Sequence, residues 1–218
     1  MKKILVTFLI ATMMFTCLTG CGTSGKVEAV ANDDKQAEEE SVPEANSDPI
    51  QSDSGNPIVS IDIENYGVIT VELDSQAAPI TVENFLKLVN EGFYDGLTFH
   101  RIIDGFMMQG GDPTGTGMGG SEETIKGEFA NNGVDNKLSH TKGAVSMARS
   151  QDPDSASSQF FIVDEDSTFL DNDYATFGYV IDGIDVVDEI CTTAQVVDGN
   201  GTVEPENQPI IKSIKVVE

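Results

Sequence analysis

Two short stretches of the chain combine a few polar side chains with a dense apolar background, a pattern that can support catalysis. The first reads FHRIIDGFMMQGGD over residues 99–112 and holds one guanidinium and one carboxamide among apolar side chains. The second reads SSQFFIV over residues 157–163. Because an arginine is always charged, placing Arg101 on a largely apolar face is costly unless something uses the charge. The alternative is a rim arginine whose methylene stem covers a core strand.

The alternation of apolar and polar residues predicts which of these side chains share a face. Every second residue of a strand lies on the same side, so Arg101 and Ile103 should lie together and His100 opposite them. A hydrogen-bonded structural role is then expected for His100, and a loop position for His140. No G-x-S-x-G motif accompanies the two histidines, which disfavours hydrolysis. Arg101 and Gln109 remain the candidate polar groups, and a guanidinium acts only as a hydrogen-bond donor.

The elements that must position these residues are mostly strands. Alternating residues around Asn65-Tyr66-Gly67 predict a β-hairpin. Pro79 opens a helical pattern over residues 80–90, and a second short helix is predicted over residues 184–191. The predicted strands are Ile58–Ile63, 68–73, Thr98–Ile103, 106–109, Ala144–Met147, 159–163, 176–180 and 210–217. Many strands with two helices predict a mainly β fold, a closed antiparallel barrel capped by the helices.

The motifs together resemble one known family. The string FHRIIDGFMMQGGDPTGTGMGG, followed in order by HTKGAVSMARS, SSQFFIV and FLDNDYATFG, is similar to the cyclophilin-type peptidyl-prolyl cis-trans isomerases, especially the compact bacterial members. The resemblance runs from about Ile58 to the C-terminus. It implies a closed eight-stranded barrel with a helix over each end, an interior filled by side chains, and a substrate groove on the outer face. No cofactor is implied.

The resemblance also implies a role for individual residues. Arg101 would donate a hydrogen bond toward the prolyl nitrogen of a substrate, and Gln109 would orient the substrate carbonyl and the Arg101 head. We assign the catalytic role to Arg101, Gln109 and Phe106. Substrate binding is assigned to Phe99, Met107, Ala148, Arg149, Gln159, Phe160, Phe169, Leu170 and Tyr174. The pocket for the proline ring would be formed by Phe106 together with Met107, Phe160 and Leu170. The backbone at Ala148 and Arg149 would hold the peptide in extended form.

Two positions depart from the pattern of the best-known members of this family. Phe169 stands where many members have a tryptophan, so an indole N–H donor is missing and strong cyclosporin binding is not expected. Tyr174 stands where many have a histidine. A tyrosine keeps an aromatic wall and a polar tip, so we expect catalysis to survive this difference.

The N-terminus has the features of a lipoprotein export signal over residues 1–20. Lys2 and Lys3 precede an apolar run of fifteen residues, 4–18. As a helix, that run would span roughly 22 Å, which is short of the ~30 Å hydrocarbon core of a bilayer. It ends in Leu18-Thr19-Gly20-Cys21, which resembles a bacterial lipobox, so Cys21 is the predicted lipidation site. The alternative is an ordinary signal peptide followed by a chance cysteine.

The charge distribution predicts a tether followed by one domain. Residues 21–56 carry nine acidic side chains against two lysines and no aromatic residue, which is typical of a solvated, disordered spacer. Residues 57–218 suit a single domain. About −20 of the net charge of −25 falls on this domain, which argues against nucleic acid as a partner. We expect a monomer held by its lipid at the extracytoplasmic face of the cell membrane.

Two further motifs suggest ligands that we do not expect. Residues 115–120 satisfy G-x-G-x-x-G, but no βαβ unit surrounds them, so the glycines are expected to form a tight loop with positive φ. Residues 164–173 are rich in acids, yet they lack the glycine and the terminal glutamate of an EF-hand, so a solvated loop is favoured over a weak cation site. We therefore expect no metal and no cofactor.

The sequence thus predicts a peptidyl-prolyl cis-trans isomerase that acts on exported protein substrates and assists their folding outside the cytoplasm. Its partners would be proline-containing polypeptides in extended or unfolded form, and the membrane through the N-terminal lipid. The alternative is a non-catalytic peptide-binding or chaperone module on a cyclophilin scaffold. The presence together of Arg101, Phe106, Gln109 and Phe160 favours the enzyme, since a binding module could dispense with the arginine.

Overall fold

The structure is a computed structural model that describes residues 55–217. The predicted signal peptide, the predicted lipidation site at Cys21 and nearly all of the predicted tether lie outside these residues. The strands and helices within this range are β1 Ile58–Ile63, β2 Gly67–Leu73, α1 Pro79–Asn90, β3 Thr98–Ile103, β4 Met107–Asp112, β5 Ala144–Met147, β6 Phe160–Val163, β7 Thr176–Asp182, α2 Ile184–Thr193 and β8 Ile211–Val217. None of the helices in this range is long and apolar enough to cross a membrane.

Every predicted strand and helix is present, with ends that differ by at most three residues. The largest difference is in β4, which runs on through Gly110 and Gly111 to Asp112. Glycine is required at position 110 because a Cβ there would lie 2.7 Å from the carbonyl oxygen of Thr98 and 2.9 Å from the Phe99 ring. Gly110 therefore allows β3 and β4 to lie close together, whereas Gly111, with a φ of +82°, lies against the carbonyl oxygen of Ser158.

The eight strands form one antiparallel sheet in the order β3-β4-β6-β5-β7-β2-β1-β8. The predicted closed barrel is not confirmed, because the sheet is curled but open and β3 and β8 remain its edge strands. The two edges meet over a short stretch, with a bridge between Thr98 and Ile210. Backbone hydrogen bonds there run from Ile211 N to Leu97 O at 2.7 Å, from Gly96 N to Ile211 O at 2.8 Å and from Phe99 N to Pro209 O at 3.0 Å. A continuous ladder between β3 and β8 is not formed.

The inner face of the curled sheet carries the main core. Both helices bury one side of their surface in it, with Phe85 from α1 and Ile190 from α2 among the buried residues. Phe160 from β6 lies at the centre of an aromatic cluster, with its ring centre 5.5 Å from Phe85 and 5.9 Å from Phe99. These edge-to-face contacts add to the apolar burial and fix the strands that carry them.

The outer face of β4, β5 and β6 carries a second, smaller apolar cluster. Its buried members are Met107, Ala144, Phe161 and Val163. Since successive residues of a strand alternate between faces, Phe160 belongs to the inner core and Phe161 to this outer cluster. The outer cluster is partly open to solvent, and it is therefore the part of the sheet where a ligand can be accommodated.

The glycine-rich loop after β4 is folded around a carboxylate of the chain itself. Asp112 is buried, and its side chain accepts backbone N–H bonds from Thr114 at 2.7 Å, Thr116 at 3.1 Å, Gly117 at 2.6 Å and Gly119 at 3.1 Å. Gly117 has the expected positive φ, at 82°. The donors that would hold a phosphate in a nucleotide-binding loop are thus already used, which explains the G-x-G-x-x-G pattern without a nucleotide.

Replacing this carboxylate should destabilise the fold in a pH-dependent way. Burial alone would raise the pKa of Asp112, but the hydrogen bonds from the loop lower it to about 2. A carboxylate with a lowered pKa contributes stability above its unfolded pKa, near 3.8, and loses that contribution as the pH falls toward 2. We predict that Asp112→Asn lowers the free energy of unfolding by about 2 kcal/mol at pH 7.

Denaturant unfolding from pH 7 down to pH 2 tests this expectation. The difference between wild type and Asp112→Asn should shrink below pH 4. The control is Asp182→Asn, which alters an exposed carboxylate at the end of β7 and should leave stability nearly unchanged. A difference between wild type and Asp112→Asn that stays constant down to pH 2 would contradict the role given to this carboxylate.

Candidate active site

A cavity of about 190 Å³ opens on the outer face, beside the second apolar cluster. Strands β3 and β4 contribute to its lining, as do Phe161 of β6 and residues after β5 and before β7. The lining residues are Arg101, Phe106, Met107, Gln109, Ala148, Arg149, Phe161, Leu170 and Tyr174. A second cavity of about 300 Å³ adjoins it and shares Gln109, Ala148 and Arg149, so the two form one groove.

Arg101 reaches into this groove from β3 and is held by neighbours on two sides. Its Nη1 donates to Oε1 of Gln109 at 3.3 Å and lies 3.8 Å from Sδ of Met107. Its Nε donates to the backbone carbonyl of Asn200 at 2.8 Å. The guanidinium carbon lies 5.9 Å from the centre of the Phe106 ring. Burial lowers the pKa of Arg101, yet a guanidinium stays protonated in proteins, so the group is a charged and partly desolvated donor.

A chain of carboxamides continues from Arg101 across the sheet. Nε2 of Gln109 donates to Oε1 of Gln159 at 2.9 Å, and Nε2 of Gln159 donates to the carbonyls of Gly119 at 2.7 Å and Gly117 at 3.1 Å. The guanidinium at one end can only donate and the carbonyls at the other can only accept. The donor at one end of this hydrogen-bonded series and the acceptors at the other therefore fix the orientations of the Gln109 and Gln159 amides. Gln109 thus presents a defined oxygen to Arg101.

The rest of the cavity wall is apolar. Phe161 is buried to all but 5% of its surface and forms the floor together with Met107. Leu170 and Phe106 extend this apolar wall, and Arg149 and Tyr174 line another part of the cavity. Phe169 does not line the cavity but stands beside it, 72% exposed, with its ring centre 5.6 Å from that of Phe106. An apolar recess next to one charged donor suits a small aliphatic ring attached to a polar backbone.

Arg149 lines the groove, and its side chain also holds a neighbouring aromatic ring in place. Its guanidinium carbon lies between two rings, 4.7 Å from the centre of Tyr174 and 5.1 Å from that of Phe129. Nε donates to the carbonyl of Asp173 at 2.9 Å, and Nη1 donates to that of Ser150 at 2.8 Å. Arg149 therefore fixes Tyr174, one wall of the cavity, through cation–π contact.

His140 supports the cavity floor from behind, a role the sequence did not reveal beyond a loop position. Its ring is fully buried and stacks on Phe161 with the ring planes 14° apart. Nδ1 lies 2.8 Å from Oδ1 of Asp171, and Nε2 lies 3.0 Å from the Ser146 hydroxyl. Burial lowers the pKa of His140, although the Asp171 carboxylate opposes that shift. His140 is thus a neutral structural residue rather than an acid or base.

Three of the predicted substrate-binding residues do not line the groove: Phe169 stands beside it, and the other two lie in the core. Phe99 and Phe160 are fully buried in the inner core, so the assignment of Phe160 to the proline pocket is wrong, as is that of Phe99 to substrate binding. The phenylalanine that lines the pocket is Phe161. The sequence contained the signal, because Gln159 and Phe161 are two residues apart and share a face, whereas Phe160 must face the other way.

The remaining predicted site residues are brought together around the groove, although not all in the expected way. Ala148 lines both cavities, but its N–H already donates to the carbonyl of Gln159 at 3.0 Å. Gln159 lines the second cavity. The turn that contains Asn200 was not singled out in the sequence, because nothing in its residue types marks it as a neighbour of Arg101.

The acids of residues 164–173 are engaged within the fold. Oδ2 of Asp164 accepts the N–H of Gly105 at 2.7 Å, and Oδ1 of Asp166 accepts that of Lys142 at 2.8 Å. Across residues 55–217, no group of three His, Cys, Asp or Glu residues is placed to hold a metal ion. The arrangement of the groove provides a charged hydrogen-bond donor over an apolar recess.

Comparison with known proteins identifies this arrangement. Residues 58–216 match the family described as cyclophilin type peptidyl-prolyl cis-trans isomerase/CLD. Peptidyl-prolyl cis-trans isomerase B of Escherichia coli is 42% identical over 163 residues, which cover 71% of this chain and 96% of that protein. Peptidyl-prolyl cis-trans isomerase B of Bacillus subtilis is 50% identical over 123 residues, which cover 56% of this chain and 82% of that protein.

Solved structures agree with this match. A cyclophilin-type peptidyl-prolyl cis-trans isomerase of Cryptosporidium parvum superposes with a TM-score of 0.66 at 32% identity, covering 75% of this chain and 98% of that chain. A structure of that isomerase in the presence of the dipeptide Ala-Pro gives a TM-score of 0.64 at 34% identity, over 74% of this chain and 98% of that chain.

The contrast between Phe161 and Phe160 gives a direct test of the pocket. We predict that Phe161→Ala raises the KM for a short Xaa-Pro peptide by about 5-fold, or about 1 kcal/mol, because it removes the apolar floor. Phe160→Ala should instead lower the free energy of unfolding by about 3–5 kcal/mol and leave the KM of the folded fraction nearly unchanged.

The measurement is peptide affinity and turnover at equal folded fraction, with denaturant unfolding alongside. Phe160→Leu serves as a milder control that retains much of the core volume. If Phe160→Ala or Phe160→Leu weakened peptide binding as strongly as Phe161→Ala at equal folded fraction, the assignment of the two rings to different faces would be contradicted.

Proposed function

We propose that this chain, which belongs to the cyclophilin-type peptidyl-prolyl cis-trans isomerase family, accelerates the rotation of Xaa-Pro peptide bonds in exported proteins and assists their folding outside the cytoplasm. Isomerase activity follows from the family. The observation that carries the mechanism is the position of Arg101, a charged donor held by Gln109 and Asn200 at the edge of an apolar pocket.

The reaction needs no covalent step. A peptide bond resists rotation because its C–N bond has partial double-bond character, with a barrier of about 18–20 kcal/mol. An Xaa-Pro bond therefore exchanges between cis and trans only over tens of seconds or longer without a catalyst. In the twisted state the lone pair becomes localised on the prolyl nitrogen. A donor aimed at that nitrogen stabilises the twisted state and weakens the double-bond character that opposes rotation.

In this mechanism Arg101 supplies that donor. The hydrogen bond to the prolyl nitrogen exists mainly in the twisted state, so it lowers the barrier rather than merely tightening substrate binding. The guanidinium is already oriented by Gln109 and Asn200, and it is partly desolvated, which strengthens the contact relative to water. Little reorganisation is then required when the bond twists.

The apolar recess holds the proline ring while the bond rotates. Phe161, Met107 and Leu170 offer a surface that matches the pyrrolidine ring, and Phe106 and Tyr174 close its sides. The second cavity extends the groove past Gln109 and can accept the neighbouring residues of an extended chain. Immobilising the ring on one side of the bond leaves the other side free to rotate.

A non-catalytic peptide-binding or chaperone module is less well supported. A module that only holds peptide needs the apolar recess and the groove, but it has no use for a guanidinium held at two points above the recess. The connection through Gln109 and Gln159 to the backbone of Gly119 likewise serves to orient Arg101. These features favour turnover over binding alone.

The location is proposed from the N-terminal sequence. Two lysines, an apolar run and Leu18-Thr19-Gly20-Cys21 together favour export, with lipid attached to Cys21 as a membrane anchor. A diacylglyceryl group supplies two acyl chains, enough for stable attachment. The acidic segment over residues 21–56 would then serve as a spacer between the membrane and the domain.

Replacing Arg101 tests the proposed mechanism. We predict that Arg101→Ala lowers kcat/KM for a short Xaa-Pro peptide by at least ~10-fold, or about 1.4 kcal/mol of barrier, while circular dichroism shows an unchanged fold. Lys212→Ala is the matched control. It also removes a cation, but one that pairs with Asp62 across β8 and β1 and does not line the groove. Its activity should equal that of wild type. Full turnover by Arg101→Ala would rule out this mechanism.

Replacing Cys21 tests the proposed location. Labelled fatty acid fed to cells should appear on the wild-type protein and be absent from Cys21→Ser, which we expect to accumulate as uncleaved precursor or to be released. Cys17→Ser, four residues earlier in the signal, is the control and should leave labelling intact. Equal labelling of wild type and Cys21→Ser would show that the sulfur of Cys21 is not the attachment point.

A further inference from the structure

We propose that Asp198 is a positioning residue for the isomerase reaction: it holds a tight turn whose carbonyl at Asn200 fixes the orientation of Arg101. The inference rests on the proposed function of Arg101 but assigns a role to a segment, residues 198–202, that none of the site motifs includes. Asp198 does not line the groove, so it acts on the reaction through the turn, and its negative charge also attracts the Arg101 guanidinium through space.

The turn is organised by the carboxylate of Asp198. Its Oδ1 accepts the backbone N–H of Asn200 at 2.9 Å and that of Thr202 at 3.1 Å. Its Oδ2 accepts the hydroxyl of Thr202 at 2.9 Å. The hydrogen bonds from Thr202, with those from Asn200 and Gly201, lower the pKa of Asp198, so the side chain is a carboxylate at neutral pH. These three side-chain bonds add to the backbone bonds of the turn, which run from the Val197 N–H to the Thr202 carbonyl at 2.9 Å and from the Gly201 N–H to the Asp198 carbonyl at 3.2 Å.

The turn is also pressed against the strand that carries Arg101. The N–H of Ile102 donates to the carbonyl of Gly201 at 2.8 Å, and the N–H of Val203 donates to that of His100 at 3.1 Å. Gly201 has a φ of +80°, and a Cβ there would lie 2.3 Å from the carbonyl oxygen of Ile102. Only glycine permits this close approach, which brings the Asn200 carbonyl within reach of Arg101.

Two contacts are needed to fix a planar guanidinium. The Nε–H of Arg101 donates to Asn200 O at 2.8 Å, and Nη1 donates to Gln109 Oε1 at 3.3 Å. Arg101 is only partly buried, so packing alone does not determine the direction of the fork. With one contact removed, the group can rotate about the remaining one and lose its aim at the prolyl nitrogen. The hydrogen bond to Asn200 O is the shorter of the two.

Charge and position can be separated with two substitutions at Asp198. Asp198→Ala removes the acceptors that organise the turn. Asp198→Asn keeps an oxygen for the N–H groups of Asn200 and Thr202 while removing the charge. If position is what matters, kcat should fall about 5-fold in Asp198→Ala with KM within 2-fold, and Asp198→Asn should stay within 2-fold of wild type.

A double-mutant cycle with Arg101→Ala distinguishes positioning from general damage to the fold. Asp198→Ala should have no further effect on kcat/KM in the Arg101→Ala background, because the group it positions is gone. An equal loss in both backgrounds would show a merely structural role and overturn the proposal. Equal losses in Asp198→Ala and Asp198→Asn would overturn it as well, since charge rather than position would then be responsible.

Solvent exchange of the Arg101 Nε–H proton, followed by NMR on the ¹⁵N-labelled full chain, reads out the contact without any assay of activity. Exchange should be slow in wild type and Asp198→Asn and at least several-fold faster in Asp198→Ala. Unchanged exchange in Asp198→Ala would overturn the proposal. Full activity of Arg101→Ala would instead refute the proposed function, so the two failures are distinguishable.

Discussion

A charged guanidinium on the outer face of the sheet must be kept hydrogen-bonded and partly shielded from water, and much of the surrounding structure meets that requirement. Leaving a desolvated charge without partners would be costly. Gln109 and the Asn200 carbonyl satisfy two of the donors of Arg101, and Gln159 fixes the amide of Gln109 in turn. In the proposed mechanism the remaining donors of Arg101 are available to a substrate, and their interaction with it offsets the cost of holding the charge.

The inner face of the sheet contributes most of the stability, and the outer face carries the groove. The inner face packs Phe160 against the helices and neighbouring strands, which keeps the strand backbones at fixed spacing. The outer face places Phe161, one residue later, under the groove. A rigid inner core thereby sets the positions of side chains on the outer face to within the tolerance that catalysis needs. The same alternation also explains why a one-residue error exchanges a core residue for a site residue.

The sequence predicted the strands, both helices and most of the groove, because alternation and motif order are local properties. Arg101 and Gln109 lie opposite each other because β3 and β4 pair as a hairpin, which is a local contact in the chain. The pocket residue Phe161 differs from the predicted Phe160 by one position, because the family motif alone does not specify which face of β6 each phenylalanine occupies. The turn over residues 198–202 could not be predicted, since it contacts β3 almost one hundred residues earlier in the chain. The open edge between β3 and β8 is likewise a long-range property.

In the proposed mechanism the barrier is lowered by a planar guanidinium held at two points, and a positive charge at position 101 alone is not sufficient. Exchange NMR on a short Xaa-Pro peptide with catalytic amounts of wild type and Arg101→Lys tests it most directly, because lysine keeps the charge but lacks the fork that contacts Gln109 and Asn200. We expect the cis–trans exchange rate with Arg101→Lys to be at least ~10-fold below that with wild type, with peptide affinity little changed. Wild-type exchange in the presence of Arg101→Lys would contradict it.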